Sequence, residues 1–307
     1  VGSASDIRTV GGELRIVGNG GRPDGVNGAP RGINRGIVLF SQFGSNISSI
    51  NGDITLEGIG NGSDGGNRGI YFFVRDSDVD PSESITIRST NGDINLIGTG
   101  SDSGTTTEND GIAITDNVLI ETTGSGIVSL SGFSGDGTDD NRGIYLTNDA
   151  QISSHTSVLL TGISNGSGSS NHGVYLQNGD LITISDNGTI ILNGTGSNGE
   201  GNSNKGIWIN QASLISSING DINLIGRGGD GDGNNSEGIS LYNRSTISSI
   251  DGDINIVGVG GTGSGDFTQG IEVNRGATVE TTGDGNITLQ GDVSGNGDDN
   301  VGIYVGS

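Results

Sequence analysis

The 307-residue chain has no cysteine, no methionine, three prolines, one tryptophan and two histidines. The lack of cysteine fits a secreted bacterial protein that is not stapled by disulfides. Methionine is missing even at position 1, which is expected of a mature segment or a piece of a longer translation product. Positive charge is scarce: 13 Lys and Arg stand against 36 Asp and Glu, a net charge of −23. The basic residues are scattered, which argues against a nucleic-acid groove or a patch for anionic membranes. No apolar run reaches the length of a membrane-spanning helix. The histidines, His155 and His172, fall in different parts of the repeat described below and have no cysteine partner, so they form no catalytic or metal-binding pair.

Glycine is abundant, 62 residues in all, but without the Gly-X-Y period of collagen. Only 29% of the residues are hydrophobic, which alone would read as disorder. The apolar residues, however, recur with a strict period. A glycine followed by apolar-x-apolar appears at Gly36, Gly69, Gly111, Gly143, Gly173, Gly206, Gly238, Gly270 and Gly302, mostly about 32 residues apart. Two positions earlier stand Asn34, Asn67, Asn109, Asn141, Asn171, Asn204, Ser236, Thr268 and Asn300. A fixed period of this length signals a repeat architecture.

Each repeat contains three short strands. The first holds the pair after the glycine, such as Ile144 and Leu146; a spacing of two puts both on one face. The second opens with Ile7, Ile47, Ile87, Ile120, Ile152, Ile184, Ile215, Ile247 and Val279. A column of small polar residues, such as Ser49, Ser89, Thr122 and Asp186, follows two positions on, and is expected to form an inward hydroxyl ladder near a corner. A turn then follows, often Asn-Gly-Asp as at Asn51–Asp53, whose residues tolerate positive φ. The third strand reads apolar-x-apolar-x-Gly in all nine copies, as in Ile54, Leu56 and Gly58. No helical period appears. The predicted fold is all-β: a parallel β-helix, or β-solenoid, of nine coils in one unit spanning 1–307. The asparagine column is expected to stack at a repeated turn, its amides bonding along the stack.

Insertions break the count at 19–35 and 75–84, and they hold Pro23, Pro30 and Pro81, in keeping with proline's inability to donate to a ladder. Overlaying Val305-Gly306-Ser307 on Val1-Gly2-Ser3 keeps the coil phase. That overlay predicts an axial junction, either in a tandem array or between copies stacked head to tail.

Motifs with chemical meaning are few. Gly162-Ile163-Ser164-Asn165-Gly166 matches a nucleophile elbow only by letter, since no helix follows. Gly60-x-Gly62-x-x-Gly65 likewise opens no helix and is no phosphate site. Acidic loops bearing Asp136, Asp139 and Asp140, and Asp230 and Asp232, could gather oxygen ligands for Ca²⁺; a solvated acidic surface is the competing reading. No other cofactor is expected. On the outward side of the first strand, Tyr145, Tyr175 and Trp208 occupy consecutive coils and are expected to stack, either as cross-strand support or as a lateral or glycan contact.

The run Ile215-Ser216-Ser217-Ile218-Asn219-Gly220-Asp221-Ile222-Asn223-Leu224, with Asn141-Arg142-Gly143-Ile144, resembles the giant β-strand-repeat proteins of bacterial surfaces, similar to filamentous haemagglutinin-type exoproteins. The resemblance covers nearly the whole chain. It implies a right-handed parallel β-helix, export from the cell, and roles in adhesion, sheath or biofilm. The expected function is an extracellular structural filament or surface adhesin, not an enzyme, whose main partner is itself and whose second partner is cell-surface or matrix polysaccharide. The alternative is a polysaccharide-binding or polysaccharide-cleaving β-helix, for which Arg75 and Arg88 beside Asp76, Asp78 and Asp80 are the nearest approach to a catalytic group. A regular outward threonine array for binding ice is spoiled by Arg8, Arg88, Glu121 and Glu280.

Overall fold

The computed structural model describes residues 5–21, 33–74, 84–102 and 106–307. Among them lie 27 strands and no helix. The strands form three parallel sheets of nine, each built from every third strand, so the molecule is a β-solenoid. We name the sheets after the strand of the repeat that they stack. The second-strand sheet runs from Ser5–Arg8 to Thr278–Thr281, the third from Leu14–Asn19 to Ile287–Asp292, and the first from Ile37–Ser41 to Val301–Val305. Eight steps of about 4.8 Å separate the outermost rungs, roughly 38 Å in all.

Parallel pairing in register sets like on like. Ile54 pairs with Ile94, which pairs with Val128 and then Val158. Alternation sends these residues inward together with Leu56, Leu96, Leu130 and Leu160, all essentially inaccessible to solvent. Inward pairs from three sheets thus fill one continuous apolar column. The glycine closing the third strand has a steric cause. A Cβ on Gly58 would lie 2.1 Å from the carbonyl oxygen of Gly69, which leads into the first strand of the same rung. No other residue fits that corner.

The hydroxyl column caps the corner after the second strand. Gly52, Gly92, Gly220 and Gly252 donate their N–H groups to Ser49, Ser89, Ser217 and Ser249 at 2.9–3.0 Å. Thr122 and Ser154 also bond to each other at 2.8 Å. One register expectation fails. Ile152 pairs with Ile182, and Ser154 with Ile184, so Ile182 opens that strand and Ile184 takes the hydroxyl position. Asp186 lies outside the strand and is exposed. Ile182-Thr183-Ile184 offers two equivalent apolar residues, and the nine-residue spacing from Gly173 selects the first. The reason expected for the corner glycine also changes: Gly52 is not in the left-handed region. A Cβ there would stand 2.0 Å from the Gly12 carbonyl of the preceding rung, so rung-to-rung closeness demands glycine.

Stretches 22–32 and 75–83 of the expected insertions, with all three prolines, lie outside the described residues, as do Val1, Gly2 and Ser3. At the other end Val305 completes the last strand, Gly306 donates to the Val273 carbonyl at 2.9 Å, and Ser307 follows.

Candidate functional site

The first-strand sheet carries the most structured outer face. Its short strands are flanked by two lines of left-handed residues. On one side stand Glu108, Asp140, Ser170, Ser203, Asn235, Phe267 and Asp299, with φ between 54° and 64°. On the other are paired positions such as Asn148-Asp149, Gln211-Ala212 and Asn243-Arg244. A side chain in this region costs on the order of 1 kcal/mol or more. Its repetition on consecutive rungs means that the stacked turns impose it.

The asparagine column holds the first line of turns. Asn34, Asn67, Asn109, Asn141 and Asn171 each donate their backbone N–H to the Oδ1 of the next asparagine, at 2.8–3.2 Å. Thr268 donates likewise to Asn300 at 2.8 Å. Amide-to-amide bonds are secondary, as from Asn141 Nδ2 to Asn171 Oδ1 at 3.1 Å. The remaining amide protons bind carbonyls of the left-handed turns, as from Asn204 Nδ2 to Gly201 at 2.9 Å. From Asn67 to Asn204 the column is fully buried. The expected ladder is present, and its main links run from backbone to side chain.

Tyr145, Tyr175 and Trp208 stack as expected, with centroids 5.4 Å apart and then 4.3 Å. Their faces therefore meet one another, and Tyr175 is buried. Tyr145 and Tyr175 are linked through Gln177, which accepts from the Tyr175 hydroxyl and donates to the Tyr145 oxygen. Burial raises the Tyr175 hydroxyl to about 12. At the same level as this stack runs a second column: Arg68, Asp110, Arg142, His172, Lys205 and Glu237, all buried. Arg68 bonds Asp110 at 2.9 Å, Arg142 reaches Asp140 at 2.6 Å, and Lys205 bonds Glu237. The Arg142 guanidinium lies 4.5 Å from the Tyr145 centroid.

His172 sits between two cations. Burial first, then the charges of Arg142 and Lys205, hold it well below the usual imidazole range, so it is neutral. Its Nδ1 accepts from the Lys205 N–H at 3.3 Å, which assigns the ring proton to Nε2. That nitrogen, like Trp208 Nε1, is buried with no hydrogen-bond partner among the described residues. The sequence excludes a catalytic or metal-binding histidine pair, but no charged column was drawn from the residues at the His172 position. The signal was present: Arg, Asp, Arg, His, Lys and Glu occupy one position on six consecutive rungs.

Farther along this face, Phe267, Glu272, Asp299 and Tyr304 line a cavity of about 400 Å³. Three of the five aspartates considered for Ca²⁺ take part in rung-to-rung bonds. Asp139 Oδ1 accepts the Ser169 N–H at 2.6 Å, Asp230 Oδ1 that of Thr262 at 3.1 Å, and Asp232 Oδ1 that of Ser264 at 2.8 Å. Asp140 pairs with Arg142, and Asp136 lies close enough to raise Asp102 electrostatically, after the effect of burial. Among the described residues no group of three or more acidic, histidine or cysteine side chains is placed to share a metal. Of the residues weighed for glycan cleavage, Arg75, Asp76, Asp78 and Asp80 lie outside the described residues, and Arg88 pairs with Glu121 at 3.2 Å. Compared with protein-family models, curated proteins and solved structures, the chain matches none of them.

Proposed function

We propose that this chain is a structural β-solenoid, a rod segment of an extracellular filament or surface adhesin that lengthens by in-register axial stacking of rungs. The observation that carries this reading is the register of the rungs: each of the three sheets stacks nine parallel strands with like residue on like, as Ile54 on Ile94 and Leu130 on Leu160, so a further rung of the same pattern would continue every column. That rung comes either from the same polypeptide or from another copy, and stacking copies head to tail gives an open, filamentous assembly. The acidic, serine- and threonine-rich exterior supports an extracellular setting by composition only.

Negative-stain microscopy combined with intact mass tests the proposal. Uniform fibres from a chain of 30.9 kDa support stacking copies, and fibres from a much larger mass support a tandem array. Short discrete particles that bind or degrade a polysaccharide would instead select the runner-up, a glycan-directed β-helix. What favours that second reading is the cavity lined by Phe267 and Tyr304, since exposed rings beside polar groups suit sugars.

A further inference from the structure

Most of the scarce positive charge that the structure describes meets a carboxylate, as Arg68 meets Asp110, Arg142 Asp140, Lys205 Glu237 and Arg227 Asp230. Arg244 and Arg275 have no such partner among the described residues. Arg8 and Arg35 share that property, but they stand singly and on different sheets. Arg244 and Arg275 stand together, in the left-handed turns after the first strand, with φ of 63° and 50°. Their rungs are adjacent, and the Arg244 N–H donates to the Arg275 carbonyl at 3.1 Å. Both are exposed and line a cleft of about 500 Å³ with Gln211, Ala212 and Asn243. The lining thus holds two guanidinium groups, two side-chain amides and no carboxylate. Arg244 has Ala212 and Gly276 at the equivalent positions of the rungs beside it, and neither fills the space in front of it. The Arg275 guanidinium is steadied by the Tyr242 ring, 5.1 Å from its centroid. Glu272, the acid nearest to Arg275 in sequence, accepts instead from the Ser240 hydroxyl at 2.7 Å and the Asn274 amide at 3.0 Å.

We propose that this cleft binds an oxyanion, a carboxylate or sulfate group carried by an acidic polysaccharide or present as a free ion. Two like charges one rung apart repel, and an anion held between them removes that repulsion. Each guanidinium presents a fork of N–H donors that matches two oxygens of a carboxylate or sulfate. The Gln211 amide adds a neutral donor at the same cleft, while the Asn243 amide is tied to Asn210 Oδ1 at 3.1 Å. The volume lies within the range of about 300–1,000 Å³ usual for small-ligand sites. The chain's overall negative charge does not prevent local capture. On the same line of turns the nearest acid toward the lower-numbered rungs is Asp149, three rungs before Arg244. That is roughly 14 Å, beyond the Debye length of about 8 Å at physiological salt. The site does not depend on whether rods assemble into fibres.

Magnetic resonance of the arginine Nε–H and glutamine side-chain amide groups in isotope-labelled protein reads the site directly. The probes are sodium sulfate and, separately, polygalacturonate, each added at constant ionic strength so that screening does not change. The Arg244, Arg275 and Gln211 signals should shift saturably, and those of Arg8 and Arg15 should stay in place. A response to sulfate makes the free ion a sufficient ligand; a response to polygalacturonate alone makes the polymer the source of the anion. Arg244→Gln with Arg275→Gln should weaken binding, followed at the Gln211 amide, by about tenfold or more, as charge-assisted contacts are lost. Arg8→Gln with Arg15→Gln changes the net charge equally and should leave binding intact. All four arginines are exposed, so circular-dichroism melts should change little. No saturable shift with either probe, or an equal loss in the Arg8 and Arg15 variant, overturns the proposal.

Discussion

Tyr175 and Trp208 lie face to face, with centroids 4.3 Å apart and planes 4° from parallel. Each ring is a neighbour's packing surface, so what the pair offers to solvent is mainly ring edge. Stacking of this kind contributes about 0.5–1.5 kcal/mol beyond the apolar area it buries. Trp208→Ala should therefore destabilise the solenoid by roughly 2–4 kcal/mol in urea denaturation followed by circular dichroism, and Trp208→Phe by about 1. No loss on Trp208→Ala would mean that the column is not a structural element.

Asn171→Ala removes the acceptor of the buried Asn141 N–H. An orphaned buried donor costs about 1–3 kcal/mol, and the amide's own bond to the Thr138 carbonyl is lost as well. Ser236→Ala, in the same column but with only a 3.5 Å contact to Gly233, should cost less than 1 kcal/mol. Equal losses at the two positions would refute the ladder as the source of stability. Denaturation midpoints at constant m-value decide between these outcomes.

Two buried groups give stability opposite pH slopes. Burial, only partly offset by N–H groups from Gln177 and Ala150, pushes the Asp180 carboxyl from 3.8 up to about 8. The folded state holds that proton more tightly, so this contribution is fully present below about 3.8 and is lost as pH rises to about 8. His172 behaves in the reverse sense. Its folded pKa lies below 6.5, so its contribution is present above 6.5 and is lost as pH falls below that value. Relative to wild type, Asp180→Asn should gain stability steadily between about pH 4 and 8, by several kcal/mol in total. His172→Gln should gain relative stability only below about pH 6.5. Thermal melts from pH 4 to 9 read both differences.

Lys205 and Glu237 are buried together. Burial raises the Glu237 carboxyl, and Lys205 opposes that effect. Lys205→Met leaves the acid unpaired and should cost about 3–5 kcal/mol, whereas Lys205→Met with Glu237→Leu should recover most of the loss. A double-mutant cycle in urea measures the coupling, and additive losses would contradict the pairing.

Much of this architecture is legible in the chain because the repeat is. A two-residue alternation fixed by Ile144 and Leu146, and a glycine locked at the Gly58 position, specify strand, face and corner together. Reading failed where one column admits two equivalent choices, as at Ile182 and Ile184. It also failed where the backbone departs from residue preference, as at Phe267, which adopts a left-handed conformation that nothing in its own side chain favours.

The amino-acid order by itself determined the parallel solenoid, its inward columns and its asparagine turn, because each depends on a residue meeting its own equivalent one period away. Only the tertiary structure decided that Arg68, Asp110, Arg142, His172, Lys205 and Glu237 lie buried in one line, and that Arg142, His172 and Lys205 pack against the aromatic stack. These properties arise between columns, where side chains from different strands of a rung compete for the same space, and a one-dimensional period carries no record of that competition.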